Sequence, residues 1–103
     1  MIQVITATEL KARLDAKEVL HILDVREPHE NSEFNIGGTL LPLGNIQMMQ
    51  IDDLEALKNE EIIIYCRSGN RSGQACNILQ MAGFTNVKNL TGGMLLWRET
   101  FGV

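Results

Sequence analysis

Residues 61–73 read Glu-Ile-Ile-Ile-Tyr-Cys-Arg-Ser-Gly-Asn-Arg-Ser-Gly. Four β-prone apolar residues, Ile62 to Tyr65, run straight into Cys66, and a polar, glycine-containing turn leads on into a helical pattern. A buried strand, a cysteine at its carboxyl end and a turn entering a helix belong to an open α/β sheet, whose chemistry gathers at the carboxyl ends of its strands. Successive backbone N–H groups in such a turn, followed by a helix N-terminus, form a nest for negative charge. A thiol in that nest is expected to be acidic and to stand at neutral pH largely as the nucleophilic thiolate.

Toward the C-terminus, the spacing of Ala75, Ile78, Leu79 and Ala82 predicts a helix from Arg71 to Met81, stopped by Gly83. Cys76 lies inside it and reads as a small buried residue, with a resolving thiol for Cys66 as the alternative. Residues 85–90 predict a fifth strand. Gly92-Gly93 then opens a last helix whose Trp97 is expected to anchor in the core.

Toward the N-terminus, residues 2–5 predict a first strand. Thr6 and Glu9 have capping-box spacing for a helix over 7–15, with Leu10 and Leu14 on one face. Residues 19–25 are nearly all apolar and predict a strand internal to a parallel sheet. His21 in that strand has no second ligand at metal spacing and reads as a packed histidine. Asp24, an acid near the end of a buried strand, needs a partner. Arg71 is the expected one and Arg26 the alternative.

Residues 28–34 predict a short helix or turn, with Phe34 and Ile36 as core anchors and His29 in solvent. A third strand over 39–43 is interrupted by Pro42, and 44–50 reads as a loop whose Met48 and Met49 either fill the core or contact a partner. Ile51, Leu54 and Leu57 mark a helix of about two turns closed by Asn59. Strands and helices alternate throughout, which means α/β with a mostly parallel sheet covered on both faces.

A chain of 103 residues, 45% apolar and 21% charged, is expected to form one domain over 1–103. No run approaches the roughly 18 apolar residues of a membrane span, the N-terminus lacks the pattern of a signal peptide, and two cysteines make no disulfide framework. A reducing, cytoplasmic setting is expected. Residues 1–61 hold twelve of the thirteen acids against five Lys and Arg, whereas 62–98 hold Arg67, Arg71, Lys88 and Arg98 and no acid. A cationic loop on an acidic protein favours a small anionic substrate over nucleic acid. No cofactor or metal is implied.

Three stretches, Leu-Asp-Val-Arg-Glu (23–27), Tyr-Cys-Arg-Ser-Gly-Asn-Arg-Ser (65–72) and Leu-Thr-Gly-Gly-Met-Leu-Leu-Trp (90–97), resemble the single-domain rhodaneses in order and spacing along nearly the whole chain. The chain departs from that family at 34–39, Phe-Asn-Ile-Gly-Gly-Thr, where a Gly-His-Ile-Gly-Ala type run is usual. The resemblance implies a three-layer α/β/α fold around a mostly parallel five-stranded sheet, and sulfur transfer as the activity. By it, Cys66 becomes the persulfide, and the amides of Arg67, Ser68, Gly69, Asn70 and Arg71 cradle sulfur and substrate. Asp24 would steady the loop by pairing with a loop arginine.

The implied donor is thiosulfate or a similar anion and the acceptor is cyanide or a thiol. A module that carries persulfide to a protein partner needs the same loop and stands as the alternative. Related phosphatases and arsenate reductases place five residues between Cys and Arg. Four separate Cys66 from Arg71, a smaller cradle that suits a sulfur atom better than a phosphoryl group.

Overall fold

Ile62–Tyr65 forms a strand, β4, in which every residue is buried. It lies between His21–Asp24 (β2) and Val87–Leu90 (β5). Gln3–Ile5 (β1) pairs with the outer side of β5, and Thr39–Leu40 (β3) with the outer side of β2. All four pairings are parallel. The computed structural model describes residues 2–103.

Parallel strands need crossovers, and here these are helices on both faces. Successive strand residues point to opposite faces, so Ile62 and Ile64 enter one core and Ile63 and Tyr65 the other. The first core is closed by Leu43–Gln47 (α3), a 3-10 helix over Asp52–Leu57 and Asn70–Met81 (α4). The second is closed by Ala7–Asp15 (α1) and Gly93–Phe101 (α5). Pro28–Glu33 (α2) follows the end of β2. This is the expected α/β/α arrangement around five strands.

Local chemistry explains the sharpest boundaries. The α1 helix starts where the Thr6 hydroxyl accepts from the Glu9 amide at 3.1 Å and Glu9 Oε1 accepts from the Thr6 amide at 2.9 Å. Leu10 is fully buried and Leu14 packs beside it. Cys76 and Trp97 are buried as anticipated, and Phe34 and Ile36 pack against the second core.

Three expectations are corrected and one open alternative is narrowed. The third strand ends at Leu40, because Pro42 has no N–H for a ladder and instead caps α3. The stretch expected as a loop contains α3, held by buried Leu43 and Ile46, three residues apart on one face. Met48 and Met49 follow it and are 72% and 52% exposed, so neither fills the core. His21, at the first position of β2, is exposed rather than packed.

Candidate active site

Between β4 and α4 the chain turns tightly over the Cys66 sulfur. Gly69, the N-cap of α4, adopts φ +102°, a left-handed conformation natural to glycine. This aims its N–H at Sγ, 3.1 Å away. The Ser72 hydroxyl, in the first turn of α4, lies 3.3 Å from the same sulfur. Cys66 is only 1% exposed. Burial pushes its thiol pKa up, but the Ser72 hydroxyl and the backbone N–H groups of Ser72, Gly69 and Ser68 outweigh it and hold the pKa below the ordinary thiol value.

A second helix turns the loop's peptides. The Met94 and Leu95 amides of α5 donate to the carbonyls of Cys66 and Arg67, each at 2.9 Å. In a trans peptide the C=O and the next N–H point opposite ways, so carbonyls drawn toward α5 leave the Arg67 and Ser68 N–H groups directed away from it. The contact requires glycine at 93. A Cβ there would lie 2.5 Å from the Cys66 carbonyl oxygen and 2.7 Å from that of Arg67.

Of the residues singled out from sequence, Cys66, Arg67, Ser68, Gly69, Asn70 and Arg71 do form one continuous loop and helix start. Arg67, Ser68 and Asn70 are its exposed members. Asp24 does not pair with Arg71, which corrects the expectation. Its carboxylate is fully buried and takes two bonds from the Arg26 guanidinium, both 2.9 Å, and one from Asn31 Nδ2 at 2.9 Å. Arg26 sits two residues on and folds back over the same strand end, so the pair closes almost no loop of chain. Burial raises the Asp24 pKa, yet Arg26 and Asn31 prevail and hold it low.

Arg71 is gripped by Glu30 of α2 through two parallel bonds of 2.7 and 2.9 Å, the bidentate geometry that guanidinium and carboxylate favour. The Arg71 partner brings the Glu30 pKa down to about 2. Asp24 is therefore connected to the loop only at one remove: it accepts from Asn31 of α2, and α2 carries Glu30 to Arg71. Much of the Arg71 charge is compensated, whereas Arg67 has no salt bridge among the described residues.

Two contributors were missed from sequence. Ser72 stood at the end of the cysteine motif without a role. Asn89 stood in a strand whose alternation from inward Val87 sends it to the same face, and an amide on a helix-covered face is a signal in itself. Asn89 Nδ2 donates to the Gly69 carbonyl at 3.0 Å, and Asn89 Oδ1 accepts from Ser72.

A family model described as "Rhodanese-like domain" matches residues 6–100. The chain is 37% identical over 98 residues to a protein of Allochromatium vinosum named "Sulfurtransferase", covering 94% of this chain and 89% of that one. It is 37% identical over 94 residues to the Bacillus subtilis "Putative sulfur carrier protein YrkF", covering 90% of this chain and 49% of the relative. Among solved structures, the rhodanese-like domain protein from Staphylococcus aureus superposes with a TM-score of 0.79 at 32% identity, over 93% of this chain and 91% of that one.

Proposed function

The chain belongs to the rhodanese-like domain family, and on that premise we propose that it is a sulfurtransferase working through a persulfide on Cys66. The observation that carries the reading is the sulfur held between the Gly69 amide and the Ser72 hydroxyl, with its pKa below the ordinary value. A thiolate needs no general base to attack, and no histidine stands at the loop among the residues bonded to Cys66.

The chemistry balances with thiosulfate as donor. Cys66 thiolate attacks the outer sulfur, the S–S bond of the donor breaks, and sulfite leaves with that bond's electron pair. The charge now sits on the outer persulfide sulfur, within reach of the amide nest. Cyanide or a thiolate then attacks that outer sulfur and returns Cys66 to the thiolate. Arg67, exposed and unpaired by salt bridge, is the cation best placed to meet the dianion. The near-closed loop over Cys66 admits a single sulfur atom more readily than a bulky group.

A second reading rests on the Arg71–Glu30 pair. Compensating one of two loop cations weakens the pull on a dianion, which favours donors of lower charge and delivery of the sulfur to a protein thiol. The likeness to the Bacillus subtilis protein with the sulfur carrier name runs in the same direction. The test is the intact mass before and after thiosulfate, with Cys66→Ser alongside. A gain of one sulfur atom, reversed by cyanide and absent from the variant, supports the persulfide. Fast cyanide turnover then marks the enzyme, and slow turnover with fast transfer to a thiol marks the carrier. No gain in a folded wild-type protein overturns thiosulfate as the donor.

A further inference from the structure

One hydroxyl proton at the site has two takers. Ser72 is fully buried, and its Oγ lies 3.3 Å from Cys66 Sγ and 2.5 Å from Asn89 Oδ1. A serine hydroxyl has one proton to give, a thiolate can only accept, and so can an amide oxygen. Asn89 is fixed independently on the other side, where Nδ2 donates to Gly69 O at 3.0 Å while the Gly69 N–H reaches Sγ at 3.1 Å. Cys66, Gly69, Asn89 and Ser72 thus close a ring.

The backbone makes that ring stiff. Asn89 stands opposite Ile64 in the β4–β5 register, and Ile64 faces the core that α4 covers. Its amide also rests on the bare backbone of α4: a Cβ on Gly73 would meet Nδ2 at 3.4 Å. No buried side-chain polar atom among the described residues is left without a partner.

We propose that Asn89 is a positioning residue that governs how much of the Ser72 hydrogen bond reaches the Cys66 sulfur. With Cys66 as the thiol, the hydroxyl serves Asn89. With Cys66 as the thiolate, the hydroxyl turns to the sulfur and the bond to Asn89 is lost, so the anion gains only the difference between the two bonds. With a second sulfur attached, the charge moves outward and the hydroxyl returns to Asn89. The arrangement supports the thiolate without over-stabilising it, which matters because nucleophilicity falls as thiol pKa falls. The inference rests on Cys66 as the reactive thiol and not on any sulfur donor.

The test is a double-mutant cycle on the Cys66 titration, followed by thiolate ultraviolet absorbance against pH in a Cys76→Ala background. Ser72→Ala is expected to raise the Cys66 pKa by about 0.5 when Asn89 is present and by about 1 in Asn89→Leu, where nothing competes for the hydroxyl. Loosening of the loop by Asn89→Leu is common to both arms of that second difference and cancels from it. Equal shifts in the two backgrounds, or a smaller one in Asn89→Leu, overturn the proposal. If the leucine variant does not fold, Asn89→Ala asks the same question. The titration needs no sulfur donor, so failure to take up sulfur from thiosulfate and failure of this coupling are separate results.

Discussion

Two thiols, ten residues apart, are almost equally buried: Cys66 at 1% and Cys76 at 0%. Yet one is drawn below the ordinary thiol pKa and the other is pushed up to about 12. Burial acts upward on both. Cys66 directly follows β4, where the chain turns its N–H groups inward and a serine hydroxyl faces the sulfur. Cys76 lies in the middle of α4 on the core-facing side, where every nearby amide is already bonded within the helix, and the neighbouring Cys66 charge opposes its ionisation further. The difference in thiol acidity follows from the donors around each sulfur, the Ser72 hydroxyl and unspent backbone N–H groups, and not from exposure.

The sharpest way to break this comparison is to exchange the roles of the thiols. Cys66→Ser is expected to abolish sulfur uptake, while Cys76→Ala should leave it within about two-fold and cost about 1–2 kcal/mol of stability as a small core truncation. Intact mass and thermal melts read both. Sulfur found on Cys76 would undo the contrast.

Alkylation separates the two by rate. At neutral pH, iodoacetamide should modify Cys66 in the native protein and reach Cys76 only on unfolding, a contrast of at least about 100-fold by peptide mass spectrometry. The Cys66 rate should fall as pH drops through its depressed pKa. For Cys76 the sign runs the other way. Its folded pKa exceeds the ordinary 9.0, so between about 9 and 12 the unfolded chain holds fewer protons, and stability declines as pH rises. Cys76→Ala should flatten that alkaline decline.

The surroundings of Cys66 can be tuned without touching either sulfur. Glu30→Gln releases Arg71 from its bidentate carboxylate and should lower KM for thiosulfate by roughly 3- to 10-fold with little change in kcat. An unchanged KM would show that Arg71 does not meet the donor.

The smallest effect is expected at the far end of the sheet. Glu61 binds Arg13 of α1 through two bonds, 3.0 and 2.6 Å, and also Lys88 of β5. Arg13 above all brings its pKa down to about 2. Stability from this carboxylate is fully present above about 4.5 and is lost as pH falls through about 2. Glu61→Gln should cost about 1 kcal/mol, discounted for solvent screening, and should move neither thiol.

The regular elements were legible because their signals are local. The Thr6–Glu9 box, the apolar run at 62–65 and the Gly92-Gly93 break each fix a boundary within a few residues. The corrections concern pairings across space. Arg71 and Glu30 are 41 residues apart and Ser72 and Asn89 are 17 apart, and no spacing rule connects them. The α3 helix was missed because its five residues, Leu-Gly-Asn-Ile-Gln, include the weak helix formers Gly44 and Asn45 and are held by packing of Leu43 and Ile46. Asp24 was read correctly as needing a cation, but the choice between Arg26 and Arg71 depends on where α2 lies.

The strand order bears on how the protein is made. β5, the last strand in the chain, is inserted between β1 and β4, and it brings Asn89 to the loop just ahead of the α5 amides that hold the Cys66 and Arg67 carbonyls. A nascent chain stalled after α4 would carry the Cys66 loop without either restraint. The full set of restraints on the Cys66 loop is therefore complete only after β5 and α5 have joined elements that precede them in the chain.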